Sequence, residues 1–188
     1  MAKRISGLLV AALSSLFFVS IQTAGADQRD GRLDTLFARL MVTKDAHEAS
    51  EVTDNIWRIW TQHDSPKVTA LMGEGLSALA FGRLEGAIDA FDAIVRLAPD
   101  FAEGWNKRAT VYYLVGRLDE SARDVEKTLA LEPRHFGALS GLGLIHTAKN
   151  EMRPALRAFE GALAVNPHLP ELRARIKMLK ESLDGKLI

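Results

Sequence analysis

Apolar residues recur at helical spacing along most of the chain, and polar residues fill the positions between them. Leu33, Leu36, Phe37, Leu40 and Met41 trace one face of a short helix. Ala46, Ala49, Val52, Ile56 and Ile59 trace one face of a longer helix. Between about Leu118 and Leu131 the face is Leu118, Ala122, Val125 and Leu129, flanked by Ser121 and Thr128. Near the end, Leu172, Ile176, Leu179 and Leu183 form a single stripe, with Arg173, Arg175, Lys177, Lys180 and Glu181 on the other faces. One narrow apolar stripe beside a wide polar surface suits a helix that closes the end of a stack.

A longer period runs through the middle of the chain. Pro99, Pro133 and Pro167 lie 34 residues apart, as do Gly82, Gly116 and Asn150, and Phe91, Val125 and Phe159. Leu84, Leu118 and Met152, and Ala87, Ser121 and Ala155, keep the same interval. A fixed period of this length marks a repeat architecture. In the central unit the spacing predicts a helix from about Ala102 to Val115, a stop at Gly116, and a second helix from Leu118 to Leu131 that Pro133 ends. Asp100 with Glu103 and Asp45 with Glu48 read as N-cap pairs, and Ser65 before Pro66 as a cap followed by a first-turn proline.

These residues resemble the tetratricopeptide repeat (TPR) family, whose signature is W-x2-L-G-x2-Y, then A-x3-F, A and P. With Val68, Ala102 and Phe136 as first positions, the fourth, eighth and eleventh read Leu71, Gly75, Ala78; Trp105, Ala109, Tyr112; and Leu139, Gly143, His146. The second-helix positions read Ala87, Phe91, Ile94, Pro99; Ser121, Val125, Thr128, Pro133; and Ala155, Phe159, Ala162, Pro167. The resemblance covers about 102 of 188 residues. Glu74 and Arg108 depart from it, standing where the family has an apolar seventh residue; their stems are expected to pack while their heads reach water or each other. The resemblance implies an all-α, right-handed solenoid of antiparallel helix pairs. Its units are 68–101, 102–135 and 136–169, with an N-terminal helical pair in 27–67 and a capping helix and tail in 170–188. In the 34-residue frame Phe37 and Trp57 fall on signature positions, so 27–67 reads as a degenerate fourth repeat, with Trp57 and Trp60 sealing the exposed face of the first true one.

Residues 1–26 read as a secretory signal. Lys3 and Arg4 open it, Leu8 to Val19 is its apolar run, and Ala24-Gly25-Ala26 fits a small-x-small cleavage site. An exported, periplasmic protein is the expectation; left uncleaved, the same segment would be a short membrane anchor. The 24 basic residues balance the 24 acidic ones, which gives no field for nucleic acid or an anionic membrane. There is no cysteine, hence no disulfide, thiolate nucleophile or thiolate metal site.

Little in the sequence suggests chemistry. The glycines of 73–75 and 141–143 fall inside expected helices without the strand and third glycine of a dinucleotide loop, so they read as packing positions. Of the five histidines, no two lie three or four apart; His146 reads as a hydrogen-bonded core residue, and His135 and His168 as surface residues after turn prolines. The expectation is no enzyme, no metal, no cofactor and no small-molecule substrate.

What the repeats offer is a surface, because the first helix of each unit lines the inner face of the stack. A stripe there comprises Met72, Leu76, Leu79, Glu103, Asn106, Thr110, Tyr113, Ser140, Leu144 and Thr147. It forms the expected groove for a peptide or helix of another envelope protein. Some TPR proteins clamp a terminal carboxylate with lysine and asparagine at the fifth and ninth positions. In the first unit those positions hold Met72 and Leu76, and where later units of such proteins add basic residues the third unit here offers Gly137 and Gly141, so that mode is not implied. Two alternatives stand beside the groove: Met72, Leu76 and Leu79 pack beneath the N-terminal pair, or the terminal helices mediate self-association.

Overall fold

Three residues in the left-handed backbone conformation punctuate the chain at 34-residue intervals: Gly82 at φ 68°, Gly116 at φ 78° and Asn150 at φ 61°. Glycine enters this region without steric cost, and asparagine is among the residues that tolerate it. Each closes a helix in the same way. Arg83 N–H reaches Ala78 O at 2.8 Å, Arg117 N–H reaches Tyr112 O at 2.8 Å, and Glu151 N–H reaches His146 O at 2.8 Å. This is the six-to-one bond of a Schellman cap, and it turns the chain sharply back on itself.

The computed structural model describes residues 27–185; the expected leader, residues 1–26, lies outside them. The described residues form helices and no strands. The order is α1 (Arg32–Val42), α2 (Ala46–Trp60), α3 (Pro66–Ala80), α4 (Leu84–Leu97), α5 (Ala102–Leu114), α6 (Leu118–Leu131), α7 (Phe136–Ala148), α8 (Met152–Val165) and α9 (Pro170–Gly185). Helices α3 to α8 are three hairpins stacked in sequence order, α4 on α5 and α6 on α7, and α9 packs on α8. Among the described residues no helix is long and apolar enough to cross a membrane.

Within each hairpin the two helices approach through one matched pair. A Cβ added at Gly75 would sit 2.5 Å from Phe91 Cε1, and one at Gly143 would likewise collide with the Phe159 ring. The central unit carries Ala109 and Val125 at these positions, both 2% exposed, and Ser121 Oγ donates to Ala109 O at 2.7 Å. A smaller second-helix residue thus leaves room for the extra methyl on the first. The packing reading of the inner glycines holds for Gly75 and Gly143; Gly73 has nothing near it.

The capping expectations divide. Asp45 accepts from the backbone N–H of His47 and Glu48, as expected. Ser65 occupies the N-cap of α3, yet its side chain makes no cap bond; its N–H instead donates to His63 Nδ1 at 3.0 Å. Asp100 is not a cap at all. Phe101 takes that position, and Asp100 is 2.9 Å from Arg29 Nη1. In α9, Leu172 and Leu179 are buried and the charged residues exposed, as its single stripe requires.

The Gly75–Phe91 contact gives a direct test. Gly75→Ala is expected to destabilise the protein by about 1–3 kcal/mol through overpacking, despite alanine's better helix propensity. Adding Phe91→Val, which copies the central unit, is expected to make the double variant more stable than the sum of the two single losses by about 0.5 kcal/mol or more. Denaturant unfolding of the four proteins measures this, and simple additivity would refute the matched-pair account.

Candidate functional site: a first-helix wall half covered by the N-terminal hairpin

The α1–α2 hairpin does not extend the stack as a fourth repeat. Its apolar cluster of Leu33, Phe37, Leu40, Val52, Ile56 and Trp60 also takes in Phe136, Val165 and Leu169, which belong to α7, α8 and the segment before α9. The hairpin lies across the loops that join one repeat to the next. On the way into α1, Gln28 and Arg29 bond to Asp100; then Asp34 pairs with Arg134 at 2.7 Å, and Leu40 O accepts from His168 Nε2 at 3.0 Å. Asp100, Arg134 and His168 are the same position in three successive units. Helix α2 returns in the opposite sense, with Thr53 at Asn166, Trp60 at His135, and the following His63 at Phe101. Within the helices the advance is six residues from Asp34 to Leu40 and seven from Thr53 to Trp60, about 9–10.5 Å per repeat, close to the interaxial distance of packed helices.

The anchor of this arrangement is His135. Its ring is fully buried and stacks on Trp60 with centroids 4.1 Å apart and planes 10° from parallel. Nδ1 accepts from Ala138 N–H at 3.0 Å, which caps α7 and leaves the ring proton on Nε2. Nε2 then donates to Glu103 Oε2 at 2.9 Å. Asn106 Nδ2 donates to the same oxygen at 2.8 Å, and Lys107 Nζ lies 2.9 Å from Oε1. Burial pushes the Glu103 carboxyl up, but the Lys107 ammonium and the His135 hydrogen bond outweigh it and hold it below the ordinary value. Trp57 packs edge-on to Phe136 and fills the space above Gly137, where a Cβ would sit 2.5 Å from its ring. Lys107 lies over the other side of Trp57, 5.1 Å from the ring centroid.

Several expectations are corrected by this geometry. His135 is in the core, because the loop residue after Arg134 points under the hairpin. His168 is half-buried, bonded to Leu40. His146 is only half-buried and bonds Glu151 at the repeat's end. Trp57 and Trp60 seal the start of the third unit, not the face of the first. Arg108 and Glu74 do not meet. Arg108 instead bridges α4 and α6, the second helices of successive repeats, bonding Asp124 through Nε at 2.7 Å and Nη2 at 2.8 Å, and Asp92 through Nη1 at 2.6 Å. Burial disfavours the charge on Arg108, but the two aspartates outweigh it and push its pKa up further.

The expected groove stripe divides in two. Glu103 and Asn106 are buried beneath the hairpin, at 1% and 6% exposure, and Met72 belongs to the core of the first unit. Thr110, Ser140 and Thr147 satisfy their own hydroxyls by donating to the carbonyl four residues back. Leu76 is exposed, and Leu79, Tyr113 and Leu144 are half-buried. Thr110, Tyr113 and Leu144 come together around a cavity of about 70 Å³ floored by Ala109, Val125 and Gly141. Leu76 and Leu79 stand apart from it, in the first unit.

A family model of the tetratricopeptide repeat matches residues 61–102 and 106–170. The chain belongs to the tetratricopeptide repeat family. It is 36% identical over 154 residues to a TPR repeat-containing protein of Rhizobium etli, spanning 82% of this chain and 76% of that protein. It is 28% identical over 109 residues to the wheat Hsp70-Hsp90 organizing protein, covering 58% of this chain and 19% of the relative. Among solved structures, the first TPR of Spaghetti bound to an HSP90 peptide superposes with a TM-score of 0.62 at 21% identity, over 64% of this chain and 96% of that one. The Sgt2 TPR domain of Aspergillus fumigatus gives 0.61 at 23% identity, over 65% and 82%. At these identities the shared property is the fold.

Within this TPR chain the Glu103–His135 pair looks like acid–base machinery, but both ring nitrogens are engaged and the pair is sealed from any substrate. Among the described residues no three side chains are placed to hold a metal ion. One signal in the sequence pointed to the buried histidine: the equivalent residues of the other units are Phe101 and Leu169, so the position itself is apolar.

Two measurements probe this anchor. Trp60→Ala is expected to cost about 3–5 kcal/mol and to raise amide exchange across α1 and α2 more than across α5 to α8. Uniform loosening of all helices would contradict the strap geometry. Glu103 has a lowered folded pKa, so the native state binds fewer protons there. Its stabilisation is complete above the unfolded carboxylate value near 4.5 and is lost as pH falls through the lower folded value. Glu103→Gln is expected to flatten the acid side of the stability–pH curve; an unchanged slope would remove Glu103 from that account.

Proposed function

We propose that this protein is a non-catalytic interaction scaffold, exported to the periplasm, that docks a short segment of another envelope protein on the uncovered half of its first-helix wall. The observation that carries this reading is the division of the wall. The N-terminal half is filled by Trp57 and Trp60, while Leu76, Leu79, Tyr113 and Leu144 remain at the surface beside a small cavity. The peptide-bound Spaghetti TPR, whose fold this chain shares, supports a polypeptide ligand. The ligand chemistry differs from carboxylate clamping. Met72 is buried, Leu76 is aliphatic, Gly137 lies under Trp57, and Gly141 floors the cavity. The segment that fits offers an aliphatic tip to the cavity and an apolar strip toward Leu76. Export rests on the pattern of residues 1–26, with Lys3, Arg4 and Ala24-Gly25-Ala26.

A photocrosslinking amino acid at position 113, used in intact cells, is expected to trap a discrete envelope protein. Tyr113→Ala is expected to lower capture at a neighbouring crosslinking position, 110, at least several-fold while the melting temperature stays within a few degrees. No trapped partner in the envelope fraction, or a variant that unfolds, would overturn the assignment of Tyr113 to a docking surface.

A further inference from the structure

On the side of α2 opposite Trp57 and Trp60, the hairpin carries a second concavity that the docking reading does not use. It has a volume of about 390 Å³ and lies between two stripes, Arg32, Leu36 and Arg39 on α1 and Asn55, Arg58 and Ile59 on α2. Residues 55, 58, 59 and 62 lie about 180° around α2 from 57 and 60, at 100° per residue. The floor is aliphatic: Ile59 is 5% exposed and Leu36 half-buried. Three guanidiniums line it and no carboxylate does.

Each guanidinium is held by a neighbour and still has donors to spare. Arg32 bonds Asp30 through Nε and Nη2, leaving Nη1. Arg39 bonds Glu48 through Nη2, leaving Nε and Nη1. Arg58 bonds the neutral Asn55 through Nη1 at 2.6 Å, and no carboxylate among the described residues pairs with it. Counting Asp30 and Glu48, the local charge is three minus two, or +1. A concave, mostly apolar site of this size with a few convergent, pre-oriented polar groups is the usual form of a small-ligand pocket. Guanidinium donors select a planar anionic oxygen pair.

We propose that this cleft binds a small amphipathic carboxylate, with its head on Arg58 and its apolar body on Leu36 and Ile59. The group is a ligand and not a substrate, since no nucleophile or acid–base pair lines the cleft. The site is independent of the docking surface around Tyr113, on other helices.

Decanoate, kept below its micellar concentration, is the probe, with decanol and decyltrimethylammonium as neutral and cationic controls. In a two-dimensional NMR titration of the full chain, the amides around Leu36 and Ile59 are expected to shift with decanoate and not with either control. Arg58→Gln is expected to weaken decanoate about tenfold with an unchanged spectrum elsewhere. Equal shifts with decanol, shifts centred on Tyr113 and Leu144, or an Arg58→Gln variant that binds decanoate as tightly as the parent would overturn the proposal.

Discussion

One buried contact fixes where the N-terminal hairpin sits on the stack of repeats. The Glu103 carboxylate is removed from water only because His135, Asn106 and Lys107 supply a hydrogen bond or charge at each of its oxygens. The His135 ring in turn presents its faces to aromatic side chains, and Trp60 is the one that closes it off. A buried carboxylate with fewer partners would be strongly unfavourable, so the network and the hairpin that covers it are a single unit. Helix α2 therefore sits where the second and third repeats join, and it cannot slide to the first without exposing an aromatic face and stripping the cover from a charge.

How far the sequence revealed this follows from what periodicity encodes. A 34-residue period specifies contacts between neighbours in the stack, since those recur in every unit. That is why the left-handed turns at Gly82, Gly116 and Asn150 were legible; the packing role of Gly75 and the α9 stripe were legible from helical spacing alone. The hairpin contacts do not recur along α1 and α2 themselves. Their periodicity appears only in the partners, Asp100, Arg134 and His168, whose side chains are chemically unlike one another. Chemical dissimilarity at one repeat position conceals a shared role. Asp100 reads as a helix cap and His168 as a surface residue because each was judged against its own flanks. Arg108 shows the same limit at shorter range: its charge is accommodated by Asp92 and Asp124, one on each neighbouring second helix, and neither is near it in sequence.

The same geometry explains why a wall built from three first helices does not present one continuous groove. The stripe at the second, fifth, ninth and twelfth positions runs the length of each helix, but the hairpin crosses only their N-terminal ends. Glu103 and Asn106 are thus buried and Gly137 is half-covered by Trp57, while Thr110, Tyr113, Leu144 and Thr147, two turns further on, are exposed or half-buried. Gly137 is informative here. Its missing side chain is what admits the Trp57 ring, so the residue that looks like an open position in the groove is in fact a socket.

A stack of three helix pairs is near the lower limit for a stable solenoid, where each unit touches only its neighbours and stability is a sum of local terms. The hairpin changes that accounting. Helix α1 and the residues leading into it are bonded to the loops before α5, α7 and α9 at once, so opening any one junction also strains the contacts with the other two. Individually these surface ion pairs contribute little, but they sit at the rim of a continuous apolar cluster that includes Phe136, Val165 and Leu169. The strap thereby couples units that a bare solenoid would leave independent. It does so at the cost of part of the first-helix wall, which Trp57 and Trp60 cover at the start of the third unit.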